Sequence, residues 1–132
     1  MRYCSIASLL LLMGLGLFGC SSSNTNNVDD SMKPALEDFG QFLTTLAPDG
    51  VKPPKKLEEF LPREPMAPIA AEHLRNGKLV YFWGTDLKAG GQSIVAYEKG
   101  TDTTGGWVLL EDGKVKKMTS EDFAKAPKPT KK

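Results

Sequence analysis

The apolar positions along this chain follow two different rhythms. From Pro34 onward, Leu36, Phe39, Leu43 and Leu46 recur at intervals of three and four, and Phe42 widens the stripe. That spacing predicts an amphipathic helix starting near Pro34, with Glu37 and Asp38 in its first turn, where the helix dipole favours acids. Pro48-Asp49-Gly50 ends it. Pro53-Pro54 introduces a short helix through Lys55-Lys56-Leu57-Glu58-Glu59-Phe60-Leu61, which Pro62 stops. Pro62, Pro65 and Pro68 then stiffen a connector, and a third short helix is expected from Ile69 to Asn76, with Gly77 as its left-handed cap.

From Lys78 the period changes to two. Lys78–Trp83, Ser93–Tyr97, Trp107–Glu111 and Lys114–Met118 are rich in β-formers and read as strands. Gly84–Gly91 connects the first two. Asp112-Gly113 marks a two-residue type I′ hairpin between the last two. Thr119 or Ser120 caps a final short helix, with Glu121 and Asp122 in its first turn and Phe123 facing inward. Short connections between consecutive strands favour an antiparallel meander. The expected fold is therefore α+β, with the N-terminal helix packed on a roughly four-stranded antiparallel meander and short extra helices beside it. The single domain is placed at residues 32–126, followed by a basic, disordered tail at 127–132.

Composition narrows the class. The 132 residues carry 17 Lys+Arg against 16 Asp+Glu, a formal charge of +1, which gives no basic surplus for an obligate nucleic-acid partner. One domain fits this length.

Ahead of the helical rhythm lies a third pattern. Arg2 precedes an apolar run from Ile6 to Phe18, thirteen residues or about 20 Å as a helix. The bilayer core needs roughly 30 Å, so the run is too short for a stable span and reads as a secretory signal peptide, residues 1–19. Its end, Leu17-Phe18-Gly19-Cys20, resembles the bacterial lipobox, although Phe18 is bulkier than the residue usual there. The resemblance implies that the Cys20 thiol receives a diacylglyceryl group, that the leader is cut before it, and that the new amine takes a further palmitate-type chain. Ser21, where an aspartate would imply inner-membrane retention, implies the outer membrane, facing the periplasm. Stable anchoring takes two chains, which such a cysteine supplies. Cys4 departs with the leader, so the folded part holds neither a disulfide nor a thiol-based site. Ser21 to Ser31 has almost nothing apolar to bury and reads as a flexible linker reaching roughly 15–20 Å from the membrane.

The Leu57-Glu58-Glu59-Phe60-Leu61 stretch, the strands after it, and Ala96-Tyr97-Glu98-Lys99 followed by Gly105-Gly106-Trp107-Val108-Leu109-Leu110-Glu111-Asp112-Gly113-Lys114-Val115 resemble pseudopilin-like proteins of type II secretion, from Pro53 to about Phe123. Asp102 stands where those proteins carry a histidine, and a lipobox stands where they carry a prepilin start. The resemblance implies the helix-on-sheet fold and an envelope location.

Candidate chemistry is sparse. His73 is the single histidine, and Glu72 beside it points elsewhere on a helix. The Gly84–Gly91 loop lacks the Lys-Ser/Thr ending of a phosphate loop. The Lys99–Gly106 loop offers Asp102 and several hydroxyls. Calcium wants six to eight oxygens and would need Asp86 or Asp112 to help. Tyr81, Trp83, Tyr97 and Trp107 read first as sheet packing and second as an aromatic platform. Leu79, Tyr81 and Trp83 are expected on one face, Val80 and Phe82 on the other. Pro62-Arg63-Glu64-Pro65 has PxxP spacing and reads as a stiff connector. From Asp112 to Lys132, seven lysines face three acids. No catalytic, cofactor-binding or metal-ligating set emerges, and Cys20 is the one residue assigned a modification. The expectation is a non-enzymatic envelope lipoprotein, held to the membrane by its lipid and engaging another envelope protein. The alternatives are an accessory of a pilin-like or type II secretion assembly, and a small ligand- or calcium-binding module.

Overall fold

The computed structural model describes residues 31–130. The signal peptide, Cys20 and most of the linker lie outside the described residues.

Helix α1 spans Met32–Leu46, and its expected stripe is inside: Leu36, Phe39, Phe42, Leu43 and Leu46 are all buried. It starts two residues earlier than the sequence suggests, with the Ala35 N–H donating to the Ser31 carbonyl at 3.2 Å. Pro34 thus sits inside the first turn, where backbone N–H groups have no intrahelical acceptor and a missing one costs nothing. The earlier start takes Glu37 and Asp38 out of the first turn, contrary to expectation.

Asp38 has a different task. Helix α2 is the single turn Leu57–Phe60, and a 3₁₀ helix over Leu61–Met66 leads toward α3, Pro68–Arg75. The residue before α3 is Ala67, which has no side chain to cap it. Asp38 on α1 supplies the cap, its Oδ2 accepting from the Ile69 N–H at 3.0 Å and the Ala70 N–H at 3.2 Å. At its other end α3 closes with Gly77 at φ +67°. The Lys78 N–H donates to the His73 carbonyl at 2.9 Å and the Gly77 N–H to the Leu74 carbonyl at 3.2 Å, the paired bonds of a Schellman cap. Pro62 does not stop the helical path. Prolines three apart, with φ near −65°, suit a 3₁₀ turn, so Pro62-Arg63-Glu64-Pro65 is coiled rather than extended. The Arg75 guanidinium grips both oxygens of Glu64 and ties the 3₁₀ turn to α3.

The sheet comprises β1 (Leu79–Tyr81), β2 (Ile94–Glu98), β3 (Gly106–Leu110) and β4 (Val115–Met118) in sequential antiparallel order, the meander expected from sequence. β1 is shorter than its β-former run. The chain turns away after Phe82, and Gly84, at φ +85°, donates its N–H to the Pro54 carbonyl at 2.9 Å. A bulge between Ile94 and Ala96 breaks the alternation in β2.

The last hairpin differs from the expected two-residue turn. Leu109 pairs with Val115, and the Leu110 N–H donates to the Lys114 carbonyl at 2.9 Å, leaving Glu111, Asp112 and Gly113 as a three-residue loop. Gly113 takes φ +84°, and its N–H donates to the Leu110 carbonyl at 2.9 Å, the pattern of a turn closed by a glycine bulge. Between β2 and β3 the chain forms a one-turn helix, α4 (Thr101–Thr104), where a plain turn was expected. Helix α5 (Ser120–Lys125) is capped as predicted, with Thr119 Oγ1 accepting from the Asp122 N–H at 3.1 Å.

Both faces of the sheet are covered, whereas the apolar pattern accounted for one. The larger cluster joins α1 and α3 to Leu79, Tyr81, Val95, Ala96 and Leu109, with Phe60 between them. Its centre is aromatic: Phe39 meets Tyr81 edge-on at 4.7 Å and Phe60 at 5.7 Å, within the favoured range for such pairs. The smaller cluster gathers Ile94, Val108, Leu110, Met118 and Phe123 under α5, with Phe82, Tyr97 and Ala126 at its border. The chain beyond α5 turns back onto this face. The Pro127 carbonyl accepts from the Ile94 N–H at 2.9 Å, and the Lys128 ammonium donates to the Phe123 carbonyl at 2.6 Å. The first residues of the sequence-assigned tail are therefore seated on the domain.

Candidate functional site

The residues singled out in the sequence are distributed rather than assembled. His73 lies on α3 and is 6% exposed. Its Nε2 stands 3.3 Å from the Ser31 hydroxyl, a contact that the sequence did not suggest because 42 positions separate the two. A serine beside an imidazole is half of a nucleophilic arrangement. The other half is a carboxylate orienting the ring, but His73 Nδ1 is buried with no hydrogen-bond partner. The contact joins the start of α1 to the end of α3.

The three acids considered for calcium are apart in role. Asp86 Oδ1 accepts from the Leu87 N–H at 2.8 Å, and Asp112 Oδ1 from the Lys114 N–H at 3.0 Å. Asp102 is exposed on α4. Among the described residues no group of three or more His, Cys, Asp or Glu side chains is placed to hold a metal ion. The 84–91 loop turns its backbone inward: the Lys88 N–H donates to the Glu111 carbonyl at 2.7 Å, and the Gly91 N–H to Lys88 at 2.9 Å.

The aromatic residues do not form one platform. Tyr81 is buried against α1, and its hydroxyl donates to the Thr85 carbonyl. Burial, reinforced by the charge of Asp86, pushes this phenol well above the ordinary tyrosine range. Trp83, 37% exposed, stacks edge-on against Tyr81 at 5.0 Å. Tyr97 lies on the opposite face, between Phe82 at 5.6 Å and Phe123 at 4.9 Å. Its hydroxyl is also pushed upward, first by burial and then by Asp102.

Trp107 is different. It is half-buried against the larger cluster, directly across from Lys117 in the β3–β4 register. The Lys117 ammonium stands 6.0 Å from its ring centre and that of Lys33, on α1, 5.6 Å, within cation–π range. Its backbone N–H donates to Glu98 Oε2 at 3.0 Å, while its indole N–H is buried without a partner.

These contacts lead to the free edge of the sheet. β4 borders β3 on one side only, and its middle residues, Lys116 and Lys117, are exposed on opposite faces. Lysines on an edge strand repel a second strand and keep the edge in solvent. Two shallow, open hollows meet at Lys117 and Met118. One, of about 320 Å³, is bounded by Gln92, Lys116, Lys125 and Asp122, and the other, of about 310 Å³, by Thr104, Gly105 and Ser120. This edge is the strongest candidate for contact with another component. Its chemistry is that of a cationic surface beside a half-buried indole, suited to binding anionic groups.

Comparison of the chain with protein-family models, with curated proteins and with solved structures finds no match.

Proposed function

We propose that the protein is a bacterial envelope lipoprotein whose small α+β domain has a non-enzymatic, interaction-based role at the membrane to which Cys20 holds it, facing the periplasm from the outer membrane. The observation that carries this reading is Leu17-Phe18-Gly19-Cys20 at the end of a short apolar leader. The start of α1 at Met32 supports it, because the polar stretch from Ser21 to Ser31 then lies between the acylated cysteine and the first helical residue. The described residues include no helix long and apolar enough to cross a membrane. Intact-mass analysis of the native protein, with and without a globomycin-type inhibitor of leader cleavage, tests it. The expected species begins at Cys20 and carries acyl chains, and the inhibitor leaves the leader in place. A mature chain with unmodified Cys20, or a leader cut elsewhere, overturns the reading.

A second reading, an accessory of a pilin-like or type II secretion assembly, draws support from the long helix on an antiparallel meander and from Asp112-Gly113 in the last hairpin. Secretion and piliation in a deletion strain decide it, since unchanged phenotypes remove that role.

A further inference from the structure

Ser31 immediately precedes α1. Two residues later, Lys33 approaches the ring of Trp107 at 5.6 Å, and Lys117 of β4 approaches the same ring at 6.0 Å. We propose that this face, Lys33, Trp107 and Lys117, docks onto anionic lipid headgroups of the anchoring membrane. The domain then lies against the lipid instead of standing away from it. The inference rests on the lipid anchor proposed above.

Geometry selects the face. Eleven residues, Ser21 to Ser31, separate the proposed anchor from α1, at most about 40 Å of fully extended chain. A domain of about 100 residues has a radius of gyration near 13 Å, so turning its far side to the membrane stretches that chain, whereas its near side approaches without extension. The near side is the one where the linker enters, and Lys33 lies within its first helical turn. Attraction to a charged surface decays within a Debye length of about 8 Å at physiological salt, so only groups brought this close contribute. Anchoring makes the contact intramolecular, at an effective concentration of order millimolar, and a weak surface is then occupied much of the time.

The chemistry fits the same occupant. Lysines are drawn to anionic lipid, and the half-buried Trp107 ring beside Lys33 and Lys117 reports their contact with it. Two nearby acids, Glu37 and Glu98, are engaged. Glu37 pairs with Lys33 at 3.7 Å, but both side chains are about half exposed, which makes the pair weak and easily exchanged for a phosphate. Glu98 is committed to the Trp107 N–H. From Asp112 to Lys132, seven lysines outnumber three acids.

The test uses the mature chain from residue 20, with Cys20→Ser to remove the anchor and Trp83→Phe to leave Trp107 as the sole indole. Vesicles of phosphatidylcholine with and without about a third phosphatidylglycerol are added at millimolar lipid. Flotation and Trp107 emission are read. Binding to anionic vesicles alone, with a blue shift and loss of both signals at high salt, is expected. Lys33→Gln with Lys117→Gln should lower partitioning about 30-fold, roughly fivefold per lysine. Both lysines are exposed, so the variant folds, and its urea midpoint verifies this. Absence of binding, equal binding to uncharged vesicles, an unchanged partition in the double variant, or binding of a polyglutamate peptide in place of vesicles each overturns the inference. Acylated Cys20 with no vesicle binding sinks this inference alone, whereas vesicle binding with an unmodified Cys20 sinks the anchor.

Discussion

Asp38, expected from sequence as a first-turn acid of α1, instead serves as the cap of another helix. Its sequence neighbours place it at the start of α1, yet its carboxylate serves α3, across 31 and 32 positions. Local rules compare a side chain with backbone groups a few residues away, so a cap delivered from another element is invisible to them. Asp38→Ala should cost about 1 kcal/mol in urea unfolding, and Asp38→Asn, which keeps an acceptor, should recover much of it. A loss confined to a surface effect, equal for both variants, would contradict the capping role. Gly106 is equally specific. A methyl at this position would stand 2.6 Å from Thr101 Oγ1 and 2.7 Å from Glu98 Oε2, the oxygen that accepts the Trp107 N–H. Gly106→Ala must displace that carboxylate, and a loss of about 1–3 kcal/mol is expected by chemical denaturation.

Tyr81 gives the residue scale a pH signature. Its phenol is raised by burial first and by Asp86 second, so the folded state holds the proton after the unfolded state has released it. The contribution is complete below the unfolded value of about 10 and is lost as pH rises beyond it. Tyr81→Phe removes the hydroxyl bond to Thr85 and should be less stable by about 1 kcal/mol near neutrality. Above pH 10 the wild type should lose about 1.4 kcal/mol per pH unit relative to the variant, so the two curves converge and cross. Parallel stability curves from pH 7 to 11 would refute a raised phenol.

At the scale of elements, periodicity carried most of the information. The α1 stripe, the four strands, the α3 cap at Gly77 and the Thr119 cap of α5 were all readable, because each depends on spacing within a few residues. The boundaries that moved depend on distant partners: β1 ends where Gly84 binds Pro54, and the last hairpin gains Glu111 because its N–H and carbonyl are engaged by Ser93 and Lys88. The cover on the second face was missed for a different reason. Helix α5 buries only Phe123, too little to show as a stripe, and Pro127 and Lys128 look like an ordinary polar terminus. Their seating is testable. A chain ending at Ala126 loses the acceptor of the Ile94 N–H and the Lys128 bond to Phe123, and should lose about 1–2 kcal/mol of stability in urea. An unaltered midpoint would mean that these residues are held without contributing. The candidate edge was legible as lysine content, but its geometry was not, since Lys33 and Lys117 meet at Trp107 only through tertiary packing.

The whole molecule is an unequal sandwich, and its dynamics should follow. On one side α1 and α3 bury Phe39, Phe42 and Phe60 completely or nearly so, and Phe39→Ala should cost about 3–5 kcal/mol. On the other, a two-turn helix and a few C-terminal residues cover a cluster centred on Phe123. The free energy of opening a region scales with the apolar surface it uncovers, so the second layer should detach before the first. The Ile94 amide reports this event, because its acceptor is the Pro127 carbonyl and not a neighbouring strand. Hydrogen exchange should find it protected less than the amides of Val108 and Leu109 in the centre of the sheet, and Phe123→Ala should speed Ile94 while leaving Leu109 close to its original rate. If Ile94 and Leu109 slow and quicken together, the two layers open as one. In the unequal case, the layer that opens first is the one carrying Lys125 and Lys128 beside β4, so its detachment would change the cationic edge while the core under α1 stays intact.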